Sequence, residues 1–280
     1  MRTINSSQIE ALVRDLFIDA NYALPNDVEH LLREASLNET SEVCKNALCG
    51  LCENLELSRK LDVPVCQDTG MAVVFIDLGQ DVRIEGMLLD EAVNSGVRKA
   101  YEEGYLRKSV VADPLRRVNT NDNTPAIIHL RLVPGENIKI TAVPKGFGSE
   151  NMSRHKMFTP AASEEDILLF IVDTVLKAGS NPCPPVIVGV GIGGNFEYSA
   201  YLAKKALIRD VSERHQDVFY ARLEEEALKK INMTGIGAQG FGGDITALAV
   251  NIETAPTHIA GLPVAVNMGC WVNRHKTGMI

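Results

Sequence analysis

Residues 63–75 read VPVCQDTGMAVVF, and here the hydrophobic period of the chain changes. Before this stretch, apolar residues recur at helical spacing. From Met71 onward, a short continuous apolar run behind a polar turn describes a buried strand. Pro64 closes the helical pattern, since it lacks the N–H a helix needs. Gln67-Asp68-Thr69-Gly70 is turn chemistry. The stretch also poses a chemical question. Cys66 and Asp68 sit two residues apart on a stiff loop at the mouth of a strand, whereas a structural cysteine belongs inside the apolar run.

Upstream, IEALVRDLFIDANY (9–22), PNDVEHLLREASL (25–37) and TSEVCKNALCGLCENLELSRK (40–60) read as helices, the second opened by proline and acidic residues. Downstream, MAVVFIDLG (71–79) is a strand and LLDEAVNSGVRKAYEEGY (88–105) a helix. PAIIHLRLVPGENIKITAV (125–143) describes a hairpin around Pro134-Gly135-Glu136. SEEDILLFIVDTVLKAGS (163–180) is a helix with an acidic first turn, and PPVIVGVGIGG (184–194) a strand entering a glycine loop. Helices over about 195–209 and 212–231 precede two late strands, DITALAVNIETAP and PVAVNM. The expected class is α+β, a helical N-terminal part followed by mixed sheets flanked by helices. With no linker, repeat or low-complexity segment, residues 1–280 are expected to form one domain.

Composition narrows the function classes. The 45% hydrophobic and 23% charged content is that of a globular protein. A net charge of −8 argues against nonspecific nucleic-acid binding, which needs a basic face. Small anionic substrates remain open to it, because a cationic pocket can exist on an acidic protein. Apolar runs such as ILLFIV (167–172) are too short to span a bilayer, and the N-terminus has no signal-peptide core. The expected location is the cytoplasm, where six reduced cysteines suit metal binding or catalysis better than disulfides.

The cysteines fall into two groups. Cys44, Cys49 and Cys52 have the C-x4-C-x2-C spacing of plant-type ferredoxin ligands. They lie within a helical pattern, however, and at ~100° per residue Cys44 and Cys49 diverge by about 140° and cannot face one cluster. Cys66, Cys183 and Cys270 each lie at a turn beside a strand: VPVCQDTG, SNPCPPV and NMGCWVN. Reduced cysteines on rigid loops are what an iron–sulfur cluster requires; three separate core cysteines are the alternative. A cubane held by three thiolates leaves one iron open to act as a Lewis acid on a hydroxyl and a carboxylate. That chemistry suits hydration and dehydration of hydroxy acids, with a base taking a proton from the neighbouring carbon.

CQDTG, NPCPPVIVGVGIGG and PTHIAGLPVAVNMGCW together resemble the iron–sulfur-dependent class I fumarases and L-tartrate dehydratases, in particular the separate α subunit of the two-subunit enzymes. The resemblance covers nearly the whole chain. It implies a [4Fe-4S] cluster on Cys66, Cys183 and Cys270, with Asp68 close to the iron-bound hydroxyl and Gln67 beside the substrate. It further implies that Arg107 pairs with a substrate carboxylate, that the backbone at Gly148 reaches the substrate, and that His258 lines the pocket. Gly189 to Gly194 also spell G-x-G-x-x-G, but a dinucleotide site needs a second strand ending in an acid about 20 residues on, and that interval is helical. Close packing of this loop near the cluster is the expected role of these glycines.

Single-chain members of the family continue into another domain with further cations and a threonine proposed as base. The resemblance therefore implies a β subunit completing the site, in an α2β2 assembly. Fumarate hydratase is the preferred activity, because the compact chain resembles fumarase α subunits; tartrate dehydratase, making oxaloacetate, is the alternative. An electron-transfer protein predicts a fourth thiolate and a reversible redox couple. A purely structural subunit predicts no iron.

Overall fold

The computed structural model describes all residues, 1–280. The chain begins with β1 (Arg2–Asn5), α1 (Ser6–Tyr22), α2 (Asn26–Asn38) and α3 (Glu42–Leu61). It continues through β2 (Met71–Gly79), β3 (Val82–Glu85), α4 (Leu89–Glu103), β4 (Ile127–Val133) and β5 (Ile138–Lys145). Then come α5 (Phe147–Glu150), β6 (Arg154–Phe158), α6 (Glu164–Ala178), β7 (Val186–Gly194) and α7 (Phe196–Ala206). α8 (Val218–Asn232), β8 (Ala247–Thr257), β9 (Leu262–Gly269) and β10 (Lys276–Met279) complete the order. The α+β class read from the sequence holds. No helix is long and apolar enough to cross a membrane.

These elements form two compact units. One comprises Met1–Pro25, Leu55–Phe147 and Arg274–Ile280, the other Asn26–Asn54 and Gly148–Asn273. In the first unit, a capping box starts α1: Asn5 Oδ1 accepts from the Ser7 N–H at 2.9 Å and Gln8 Oε1 from the Asn5 N–H at 3.2 Å. The apolar stripe Ile9, Val13 and Phe17 of α1 joins Val97 and Tyr101 of α4 over Val74, Ile76 and Ile140 of the sheet. These side chains are buried, and each contributes about 1.5–3 kcal/mol of burial free energy.

The sheet of this unit runs β10-β5-β2-β4, and its order corrects the hairpin expected over 125–143. β4 and β5 do not pair; β2 lies between them, parallel to β4 and antiparallel to β5. The reason is visible at the turn. Gly79, at the end of β2, donates to Asn137 O at 2.9 Å, and Gln80 N donates to Val133 O at 2.8 Å. The Pro134–Asn137 connection thus spans the width of an inserted strand, which lets the apolar β2 bond on both edges.

In the second unit the sheet runs β6-β9-β7-β8, and β7 shows why it is buried on both faces. Val186, Val188 and Val190 join the core that contains Ile171 and Val175 of α6 and Leu223 and Ala227 of α8. The intervening Gly189 and Gly191 face α7, where an added Cβ would strike the main-chain oxygens of Ala203 and Ser199. The G-x-G-x-x-G run thus lies within β7 rather than in a loop, and Gly189 and Gly191 let α7 pack closely on the strand.

Candidate active site

The first unit carries Cys66, Gln67, Asp68 and Arg107. Val65 N donates to Asn21 O at 2.9 Å, which ties the loop to the end of α1 and sets Cys66 half-buried beside it. Gln67 is exposed and Asp68 half-buried. Both Asp68 carboxylate oxygens accept main-chain N–H groups: Oδ1 from Gly70 and Oδ2 from Phe147, each at 3.0 Å. The turn closes at Gly70, with φ +78°, where a Cβ would come within 2.6 Å of Lys145 N; only glycine fits. The Thr69 hydroxyl donates to the Arg107 main-chain oxygen at 3.0 Å, so the loops bearing Asp68 and Arg107 are fastened together. The Arg107 side chain is exposed and has no carboxylate partner among the ion pairs of the fold.

Three further residues hold these loops, and none was singled out from the sequence. The buried Tyr101 hydroxyl donates to Thr69 O at 2.6 Å and lies 2.9 Å from Gly70 O. Burial raises its pKa above the ordinary phenol range. Asn123 is fully buried at φ 61°, and its Nδ2 donates to Gly70 O at 3.2 Å. Its Oδ1 accepts from Ser109 N at 2.7 Å, so one side chain joins the Asp68 loop to the segment just after Arg107. Arg274 donates through Nη2 to the Asp68 main-chain oxygen. The only sequence signal was the turn-rich NTNDNT at 119–124, which marks a loop but not its partner. Lys145, by contrast, is buried and donates to Gly146 O at 3.2 Å.

The second unit carries Cys183, Cys270, Gly148 and His258. Cys183 is exposed, between two prolines, at φ 53°. A side chain in the left-handed region costs about 1–2 kcal/mol, and glycine or asparagine is the usual occupant. The turn leaves Cys183 exposed rather than buried. Trp271 N donates to Cys183 O at 3.2 Å, which places the Cys270 loop beside the Cys183 turn. Cys270 itself is half-buried. Gly148 is the second residue of the short turn α5; the nearest atom to a Cβ there is Asn181 O at 3.5 Å, so packing alone does not demand glycine. His258 is exposed at the β8–β9 tip, and its Nδ1 accepts from Ala260 N at 3.1 Å. A neutral ring held this way carries its proton on Nε2, directed away from the main chain.

The other cysteines differ in kind. Cys44 is buried on α3, its sulfur accepts from Ala238 N at 3.1 Å, and burial pushes its thiol up to about 11. Burial likewise raises Cys52, while Cys49 faces solvent. Cys44 and Cys52 are packed as neutral thiols on a helix; Cys66, Cys183 and Cys270 stand on loops with at least part of their surface open. In donor chemistry the latter three fit an iron–sulfur cluster. No group of three or more His, Cys, Asp or Glu side chains is gathered around one point.

Comparison with known families adds the decisive observation: a model described as fumarate hydratase (fumerase) matches residues 10–279. The chain belongs to the fumarate hydratase family. It is similar to a Methanocaldococcus jannaschii protein provisionally named L(+)-tartrate dehydratase subunit alpha, 46% identical over 273 residues and 95% of each chain. It is also similar to the L(+)-tartrate dehydratase subunit alpha of Escherichia coli strain UTI89, 32% identical over 91% of this chain and 84% of that one. The protein of the same name from E. coli K12 is 31% identical over 92% and 86%. A hydro-lyase chain of the separate α-subunit type is what the family match and these relatives support.

Proposed function

We propose that this chain is the α subunit of an L-tartrate dehydratase, acting with a β subunit, in an α2β2 assembly, to convert tartrate to oxaloacetate and water. The carrying observation is the Asp68 carboxylate, clamped at both oxygens and bound through Thr69 to the loop of an unpaired arginine. The names borne by the similar proteins favour tartrate over fumarate, the reverse of the preference drawn from the sequence. Fumarate and malate are the second reading, carried by the description of the family model. The two substrates differ by one hydroxyl.

Cys66, Cys183 and Cys270 would hold a [4Fe-4S] cluster, which when bound supplies a Lewis-acidic iron for the departing hydroxyl. The remaining work falls to protein groups. Arg107 offers a planar fork to one substrate carboxylate. Asp68, once protonated, is placed to pass its proton to the hydroxyl as the C–O bond breaks, which releases water and leaves the carboxylate ionised; the proton of the adjacent carbon goes to a base of the β subunit, and the resulting enol becomes the keto acid. Gln67 and the main chain at Gly148 supply neutral donors, and His258 Nε2 supplies another. The chain offers no evident base for the carbon-bound proton.

Two variants test these roles. Asp68→Asn is expected to retain the cluster's absorbance and lose about 10²–10⁴-fold in kcat, the usual share of a general acid or base. Arg107→Lys keeps the charge but loses the bidentate fork, and is expected to raise KM about 10-fold with kcat little changed. Anaerobic co-purification with the β subunit, then assays on both tartrates, malate and fumarate, decides the substrate. Turnover of malate and fumarate alone would replace the tartrate reading with the second.

A further inference from the structure

Arg274 is 3% exposed and begins the segment that leads into β10. Of its three guanidinium nitrogens only Nη2 has an acceptor, the main-chain oxygen of Asp68. Nε and Nη1 are sealed from solvent without one. No carboxylate pairs with it. A buried guanidinium with orphan donors is costly, and a neutral side chain of similar length would pack here at less expense. Fold stability therefore does not explain an arginine at this position.

Its location suggests what does. The main-chain oxygens of residues 68, 69 and 70 are all turned onto buried donors, from Arg274, from Tyr101 and from Asn123. The first of these oxygens belongs to the residue whose carboxylate faces the site.

We propose that Arg274 is a positioning residue for Asp68: its buried guanidinium fixes the main chain from which that carboxylate projects, in the shape that receives a carboxylate-bearing substrate. The inference rests on Asp68 acting on the substrate, as argued above. The arginine touches neither substrate nor reacting atoms; it acts through the loop.

A double-mutant cycle in the αβ complex tests this, using Asp68→Asn, Arg274→Gln and the pair. If Arg274 acts through Asp68, Arg274→Gln should lower kcat at least about 20-fold with KM within about 3-fold, and the pair should be no slower than Asp68→Asn alone. Amide hydrogen exchange of residues 66–71 should rise in Arg274→Gln while α6 and β7 stay protected. Arg274→Lys, which keeps the charge and one donor, should restore kcat to within about 5-fold of the parent and return the loop's protection. Multiplicative losses in the pair, or unchanged exchange at 66–71, would overturn the proposal. If Arg274→Gln is insoluble, Arg274→Lys decides: kcat within that range with a protected loop supports it, and a larger loss with protection unchanged defeats it. Retained turnover in Asp68→Asn would instead remove the Asp68 reading itself, whatever Arg274 does.

Discussion

Cys66→Ser, Cys183→Ser and Cys270→Ser are each expected to leave the protein without broad visible absorbance after anaerobic reconstitution with iron and sulfide. The same change at Cys44, Cys49 or Cys52 is expected to leave that absorbance intact. The asymmetry follows from where each sulfur stands. A ligand must give up its proton, and a serine hydroxyl does not do so near neutral pH, so a single replacement removes one corner of the cluster's support. Cys44 is already committed elsewhere: its sulfur accepts a main-chain N–H, and burial holds its proton to about pH 11. Cys183, by contrast, lies exposed on a turn in the left-handed conformation. Iron and acid-labile sulfide contents for the six variants make the check quantitative. Loss of both in the α3 set would restore the ferredoxin-like spacing as the cluster site. Full occupancy in the loop set would remove the cluster from these loops.

Much of this architecture was legible because local pattern and burial agreed. The change of period at Pro64 does separate α3 from β2, and the strand read over PPVIVGVGIGG is β7, although its glycines lie within the strand rather than in a loop after it. The failure at β4 and β5 is instructive. Two β-rich runs around Pro-Gly look like a hairpin in any one-dimensional reading, but the apolar β2 needs partners on both edges and inserts between them. Nothing local encodes that. The loop residues of the candidate site were found through turn chemistry and motif; those that hold the loops were not. Tyr101 reads as one more apolar position on α4, and Asn123 and Arg274 as ordinary polar residues. Each acts on main-chain oxygens of residues 68–70, distant in sequence, so no spacing rule reveals them. The boundary between the units is silent for the same reason: it follows contacts across the chain, and the chain crosses it without a linker.

The chain on its own, reconstituted with iron and sulfide, is expected to show less than about 1% of the turnover it reaches with a β subunit, a deficit on the scale of losing a complete acid–base group. The argument is one of charge. A dicarboxylate taken from water beside a cluster needs cationic or hydrogen-bonding partners, because an unpaired buried charge costs several kcal/mol. In the first unit the exposed Arg107 can meet one carboxylate; Lys145 donates to Gly146 O, and Arg274 is sealed beneath Asp68. The second carboxylate and the carbon-bound proton are left without groups to receive them. The surface is consistent with a missing partner. On the Arg107 loop, Tyr105, Leu115 and Val118 are 90%, 91% and 61% exposed, and in the second unit Ile259, next to His258, is 90% exposed. Exposed apolar side chains of this kind suit a surface that a partner would cover, and such cover would also exclude water from the chemistry. The measurement is turnover of tartrate, malate and fumarate by reconstituted α, by β, and by an equimolar mixture, with complex formation followed by sedimentation. Recovery in the mixture together with a heteromeric species supports the two-subunit reading. Substantial turnover by α alone would defeat it, even with every cysteine assignment intact, and would place the missing base and cation among residues of this chain.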